Sequence, residues 1–285
     1  MCQLCAAFAN LTISVSNPNT ASPVGEKSAA TKLPRFGFVF GRNGAHAART
    51  MMLQEFSQLL EHVAAEEPRV EYMRQIIESN ALEKPTRKAR ELTARHLMAL
   101  YALDPRIVLF RVLRRLWPGD TVARPLLALM LALARDPLLR LSWDLILNKK
   151  PGEVVERGEI EAVLQAAGPD RFSPASLKSF AQNINSTWTQ AGFLQGRARK
   201  IRAVPVVTPT NLSYALFLSY LEGASAQRLF SSRWARLMGR AQDELVVMAN
   251  SAAQRGQIVF MNAGGVMEVR FPGYLTAIEE KWLHE

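Results

Sequence analysis

The sequence predicts a mainly α-helical protein, in which a helical bundle is followed by one or two winged helix-turn-helix units with short β-hairpins. Between residues 49 and 148, apolar side chains recur at the spacing of an amphipathic helix. Proline or glycine interrupts this pattern repeatedly, at positions typical of helix starts and stops. Near the C-terminus, two β-rich runs surround a Gly-Gly pair, which is typical of a hairpin.

The first 34 residues are rich in Ser, Thr, Asn, Ala and Pro and have no sustained period, so we expect a disordered leader there. The leader carries Cys2 and Cys5, the only cysteines of the chain. A zinc site takes about four ligands, and neither a second CxxC nor histidines at ligand spacing complete one. We therefore predict no metal and no cofactor, and the cysteine usage fits the reducing cytoplasm.

Residues 35–150 are predicted to form an all-helical bundle. We expect its helices before Pro68 and near residues 70–80, 86–103, 106–117, 125–134 and 138–147. The Asp-Pro pairs at 104–105 and 136–137 each provide an N-cap followed by proline at the first helical position. The run from Pro125 to Ala134 is too short to cross a bilayer, which takes about 20 residues. It is therefore predicted to be a core helix, and no membrane partner is expected.

Residues 151–285 are predicted to form the winged-helix region, because the polar stretch 149–152 is punctuated by proline and glycine. The order helix, helix, hairpin occurs twice, which favours tandem units at 151–207 and 208–275. In the first unit, Ser173 caps a long helix that Gly192 ends, and a basic arm follows at once. In the second, helices near residues 210–221 and 243–255 precede the hairpin at 257–271.

The charge of the chain points to an anionic partner. Its net charge is +10 and its isoelectric point is about 10.0, which favours nucleic acid. The polar face of the long helix carries Lys178, Gln182, Asn185 and Gln190. Asn and Gln suit adenine, whereas Lys suits guanine or phosphate.

The basic arm carries Arg197, Arg199, Lys200 and Arg202, which suit neutralisation of a phosphate backbone. We therefore predict binding of double-stranded DNA, with RNA left open. A second basic patch is predicted on the bundle, at Arg87, Lys88, Arg111, Arg114 and Arg115.

No catalytic residues are predicted. The sequence contains neither a P-loop nor a GxSxG motif. The adjacent pairs Glu66-Glu67 and Glu279-Glu280 each divide between helix faces, which does not suit paired acid-base chemistry. We therefore expect a protein that is not an enzyme.

Three segments are similar to the BrxA family of BREX phage-defence systems: the run Asn80-Ala-Leu-Glu-Lys-Pro-Thr-Arg-Lys-Ala-Arg-Glu-Leu92, the paired apolar helices up to Leu147, and Ser186-Thr-Trp-Thr-Gln-Ala-Gly-Phe-Leu194. The resemblance covers roughly Phe36 to Gly223, while the leader and the extension after Gly223 depart from it. It implies a NusB-like bundle, a winged-helix-like region, and a non-enzymatic DNA-binding role among other proteins of a bacterial antiviral defence system. It supplies no catalytic residues.

Two other functions fit the same residues. One is a winged-helix transcriptional regulator, which would prefer one operator sequence. The other is a scaffold whose winged helices bind only proteins. Each of these would, like the defence component, be cytoplasmic.

Overall fold

The computed structural model describes residues 32–264 and 266–285 and is mainly helical, with two small antiparallel sheets. Cys2, Cys5 and residues 1–31 of the predicted leader lie outside the described residues. Residues 32–34, which the sequence assigns to the leader, are helical, and Leu33 is buried in the core. That part of the leader prediction is wrong, because an apolar side chain at residue 33 packs against the folded chain.

Beyond the helical residues 32–36, seven further helices form the N-terminal half of the described chain. They are α1 Leu53–His62, α2 Arg69–Ile77, α3 Arg87–Tyr101, α4 Val108–Leu116, α5 Arg124–Arg135, α6 Pro137–Leu141 and α7 Trp143–Asn148, and a short 3-10 turn at Ala45–Ala47 precedes them.

Side-chain caps set several of these helix starts. Thr86 accepts from the backbone N–H of Ala89 at the start of α3, and Asp136 accepts from the N–H groups of the first turn of α6. Asp104 accepts from the N–H of Arg106 instead of capping a helix. Helix α4 accordingly begins at Val108, two residues later than predicted.

The helix predicted over residues 138–147 is divided into α6 and α7 at Ser142. The Ser142 hydroxyl donates to the carbonyl oxygen of Leu139 at 2.7 Å, which bends the chain back on itself at this point.

The C-terminal half contains the remaining helices and both sheets. Its elements are β1 Val154–Val155, α8 Arg157–Ala166, α9 Pro174–Gln190, β2 Leu194–Gln195, β3 Lys200–Arg202, α10 Pro209–Leu221, α11 Gln227–Phe230, a 3-10 turn at Ala235–Met238, α12 Gln242–Gln254, β4 Val259–Ala263, β5 Val266–Arg270 and α13 Ala277–Trp282.

The first sheet has the strand order β1-β3-β2 and surrounds the end of α9. Val155 lies opposite Lys200, and Leu194 lies opposite Arg202. The sequence predicts the β2–β3 hairpin but not β1, because a two-residue strand leaves no periodic signal. The second sheet is the predicted hairpin of β4 and β5, in which Val259 lies opposite Arg270.

One continuous apolar core joins the two halves. Helix α10 is buried on nearly every side and packs against α4, α5 and α12. The Tyr214 hydroxyl donates to the carbonyl oxygen of Leu109 at 3.0 Å, and the Thr210 hydroxyl donates to Asp120 at 2.9 Å. The helix that opens the second predicted winged unit therefore packs against helices of the N-terminal half.

None of the helices in the part of the chain that the structure describes has both the length and the apolar character needed to span a bilayer.

Candidate nucleic-acid interface

Helix α9 has a packed face and an exposed face. The Ser173 hydroxyl accepts from the N–H of Ser176 at 3.2 Å, and Gly192, with a φ of 81°, ends the helix in a left-handed conformation. Ile184 and Trp188 are fully buried, and the Trp188 indole N–H donates to the Ser142 hydroxyl at 2.8 Å. The first half of the other face is open to solvent at Lys178, Ser179 and Gln182.

A buried polar network fixes α9 to the bundle. The Thr187 hydroxyl oxygen accepts from the N–H of Met51 at 2.9 Å and lies 2.8 Å from His46 Nε2. His46 Nδ1 in turn lies 2.8 Å from Asp136 Oδ2. Burial alone would raise the pKa of Asp136, but the facing His46 and the backbone N–H donors together hold that pKa below its usual value. The network joins α9 to the start of α6 and to the segment before α1.

The same network has the hydroxyl, imidazole and carboxylate order of a hydrolytic triad. However, the exposed fractions of His46, Thr187 and Asp136 are only 0%, 0% and 1%. No substrate reaches the Thr187 hydroxyl, which already accepts from the backbone, so this triad holds the fold together. That the protein is not an enzyme stays a prediction.

The turn between β2 and β3 projects two arginines into solvent. Gly196 has a φ of 93°, and a Cβ there would collide with the carbonyl oxygen of Arg199, so this tight turn requires glycine. Arg197 and Arg199 are exposed, and neither pairs with a carboxylate among residues 32–264 and 266–285. Lys200 Nζ donates to the carbonyl oxygen of Gly196 at 2.7 Å. Both arginines are therefore available to a phosphate backbone.

A cleft of about 390 Å³ lies between α9, the start of α8 and this turn. Its polar lining consists of Arg157, Gln182, Asn185, Ser186, Arg197 and Lys200. Asn185 is 6% exposed, and its Oδ1 is buried without a hydrogen-bond partner in the described structure. A buried polar atom without a partner lowers the stability of a fold by about 1–3 kcal/mol, so packing alone does not explain this side chain.

The charges around the cleft are mostly of one sign. No Asp or Glu occurs from residue 171 to residue 221, a stretch that includes α9 and the β2–β3 turn. The carboxylate at the edge of the cleft is that of Glu161, which accepts from Arg157 at 2.7 Å. This surface therefore attracts anions.

The structure withdraws Arg202 from the predicted contact residues. Arg202 is 7% exposed and donates to the carbonyl oxygens of Ile146, Phe193 and Ala203. Burial lowers the pKa of its guanidinium. Inclusion of this residue in the contact set is wrong, because its position in β3 opposite the buried Leu194 points it into the protein.

Two further predicted residues are displaced from the exposed surface. Gln190 faces α1, where its Oε1 accepts from the N–H of Leu53 at 3.4 Å and its Nε2 donates to the Thr50 hydroxyl at 3.3 Å. Asn185 lines the cleft and is buried. The structure keeps Lys178, Gln182, Arg197, Arg199 and Lys200 together on one surface, which we call the α9–turn surface.

The second predicted patch is not assembled as a free basic surface. Arg114 is buried and donates to the carbonyl oxygens of Leu60 and Val63, which are the end of α1. Arg111 and Arg115 hold the C-terminal segment, through Glu279 and the carbonyl oxygen of Pro272. Arg87 pairs with Glu78 and Glu91. Of the five predicted residues, this leaves Lys88 exposed and without an ion pair in the described structure. The prediction of a second basic patch is corrected accordingly.

Sequence reasoning missed two residues of the α9–turn surface and its cleft. Ser179 is exposed beside Lys178 in the first half of α9, and its position on the helix was a usable signal. Arg157 reaches the cleft from α8. No sequence signal identifies it, because only the folding of the β1–β3 pair brings the start of α8 to this place.

No protein-family model matches this chain, and a search of curated proteins found no match either.

Proposed function

We propose that this protein binds double-stranded DNA through the α9–turn surface and does not act on it chemically. The observation that carries the proposal is the exposure of Lys178, Arg197 and Arg199 beside the half-buried Lys200, in a stretch without Asp or Glu from residue 171 to residue 221. Unpaired cations on one surface are the electrostatic footprint of a nucleic-acid-binding protein.

The element order supports a winged-helix interpretation of this region. The chain runs α7, β1, α8, α9, β2, β3, and β1 pairs with the second strand of the hairpin. In a winged helix, the helix before the hairpin enters the major groove, and the hairpin turn touches phosphates or the minor groove. Ser179 and Gln182 in the first half of α9 would then face the bases, and Lys178 would lie against a phosphate beside them.

Duplex geometry favours DNA over duplex RNA. The major groove of B-DNA admits a helix such as α9, whereas the deep, narrow major groove of A-form RNA does not. We therefore expect weaker binding of duplex RNA of the same sequence.

The similarity to the BrxA family supports a setting for this binding. In that setting, the protein is the non-enzymatic DNA-binding component of a BREX-type defence system, and the helical bundle contacts other proteins of the system. A transcriptional regulator would use the same surface but prefer one operator.

A protein scaffold is a second candidate, and the second hairpin favours it. Val259, Met261 and Val266 are 40%, 46% and 70% exposed there, and the charged side chains of β4 and β5, Glu268 and Arg270, pair with each other. Exposed apolar side chains of this kind are more typical of protein contacts than of phosphate contacts.

A salt titration of the wild-type protein with a short fluorescent duplex tests DNA binding. Four phosphate contacts give a slope of about −3.6 in log K against log[salt], which is an affinity loss of about 150-fold between 50 and 200 mM salt. Undetectable binding at 50 mM salt, or an affinity independent of salt, would refute the proposal and favour the scaffold.

A further inference from the structure

The amide of Asn185 is the unexplained polar group of the cleft. The side chain is more than nine-tenths buried, and Oδ1 has no hydrogen-bond partner in the described structure. Its Nδ2 makes no hydrogen bond to a described residue, since the amide lines the open floor of the cleft. Nδ2 is therefore a donor that a ligand in the cleft or water can accept from, whereas the buried Oδ1 is an acceptor that an ionised phosphate does not partner.

The groups around this amide suit an anion. Arg197 and Lys200 supply positive charge, the charge of Arg157 is balanced by Glu161, and Gln182 and Ser186 supply neutral donors. Aromatic residues are absent from the lining, so a base entering the cleft would lack the stacking platform that single-stranded binders use. The depth of Asn185 also keeps it from a base edge, since the exposed Gln182 and Lys178 precede it on the same face of α9.

We propose that the cleft seats one phosphate group of the bound DNA strand and that Asn185 donates to this phosphate through Nδ2. The proposal rests on the proposed function and deepens it. The phosphate lies where the strand passes from the groove that holds α9 to the groove that meets the β2–β3 turn. Asn185 thereby fixes the register of the protein on the duplex and carries no sequence information.

Asn185→Asp tests this role because the two side chains have nearly the same shape. The variant removes the donor and places a carboxylate against the phosphate. We expect affinity to fall by about 10- to 100-fold, by the same factor for every duplex sequence tested. If Asn185 read a base, the variant would instead change the preference at one base pair and leave the affinity for other sequences unchanged, which would overturn the proposal.

A second variant protects the test against a folding defect. Ser186 is only half-buried in the same cleft, so Ser186→Asp keeps the core intact and is expected to give a similar uniform loss. Asn250→Asp, at an exposed position of α12, makes the same charge change elsewhere and serves as the matched control. Circular dichroism and thermal unfolding of each variant report whether the fold is retained.

Ethylation interference identifies the phosphate itself. We expect one phosphate whose ethylation weakens wild-type binding but does not weaken binding of the Asn185→Asp variant further. If the wild type fails to bind duplex at 50 mM salt, the proposed function is refuted. If the wild type binds and both cleft variants bind duplex as tightly as the wild type does, the phosphate site is refuted while the proposed function stands.

Discussion

The triple substitution of Arg197, Arg199 and Lys200 by Ala gives the sharpest test of the basic turn. All three lie at or beside the β2–β3 turn, and no carboxylate in the described structure pairs with any of them. Their removal leaves no buried group without a partner, because the Gly196 carbonyl oxygen that Lys200 contacts lies at the exposed turn. We therefore expect a fold and a melting temperature close to those of the wild type.

The magnitude follows from the number of cations that remain. Each phosphate neutralised on B-DNA contributes about −0.9 to the slope of log K against log[salt]. Four contacts give a slope of about −3.6, whereas Lys178 alone gives about −0.9. Between 50 and 200 mM salt, the affinity of the variant should fall about 3.5-fold, against about 150-fold for the wild type.

Fluorescence anisotropy with one duplex at several salt concentrations measures both slopes. The matched control replaces Lys88, Arg95 and Arg228 by Ala, three exposed cations without an ion pair in the described structure. This control should retain the wild-type slope. A triple turn variant with the wild-type slope, or a control that loses as much, would refute the assignment of binding to the turn.

Other substitutions separate stability from binding. Arg202→Met removes the donor of the Ile146 and Ala203 carbonyl oxygens, while the Phe193 carbonyl oxygen keeps the Ala203 N–H. The free energy of unfolding should fall by about 1–3 kcal/mol while the salt slope stays unchanged; a normal stability with weakened DNA binding would return Arg202 to the contact surface. Arg114→Met should lower the free energy of unfolding in chemical denaturation by a similar amount, because the last carbonyl oxygens of α1 lose their donor. Reduced DNA affinity with unchanged stability would instead support the second basic patch. Asp136→Asn faces His46 with an amide in place of a carboxylate and should lower the free energy of unfolding by about 1–3 kcal/mol. The pKa of Asp136 is lower in the folded protein than its usual value of 3.8, so the carboxylate stabilises the fold at any pH above 3.8. This contribution is lost as the pH falls below 3.8 and through the lower pKa of the folded protein. Glu71, Asp104 and Glu159 also have lowered pKa values and lose stability in acid in both proteins. Unfolding measured from pH 7 downward should therefore show a larger loss in the wild type than in the variant, and equal losses would assign the effect to another group.

Local signals in the sequence predict most of the helices. Thr86, Asp136, Ser173 and Thr208 each accept a backbone N–H at the start of a helix. These capping signals act within one helical turn, so the local sequence is sufficient to predict where these helices start. The mainly helical class and the hairpin at β4 and β5 are confirmed for the same reason. The division into a bundle and tandem winged units stays a prediction.

Burial of charged residues is what the sequence does not reveal. Arg202 belongs to a run of four basic residues, yet its partner strand turns it inward and leaves Arg197 and Arg199 outside. Arg114 belongs to an arginine pair, and only the packing of α4 on the end of α1 shows that it is structural. An exposed arginine and a buried arginine have the same kind of neighbours in the sequence. Which of them is buried depends on contacts with segments that are distant along the chain.

Helix α10 shows the same limit for apolar residues. Its sequence predicts a helix, and the structure contains it, but its place depends on α4 and α5, which lie far earlier in the chain, as well as on α12. Similarly, His46 shows no ligand spacing in the sequence because its partners, Asp136 and Thr187, come from two other elements.

Site-specific photo-crosslinking tests the central claim most directly. A photoreactive residue at position 179, in the exposed first half of α9, should crosslink to duplex DNA, and one at position 199 in the β2–β3 turn should do the same. The same residue at position 247, which is exposed on α12, should not crosslink. Crosslinks from position 247 with none from positions 179 and 199 would contradict the claim that α9 and its turn contact DNA.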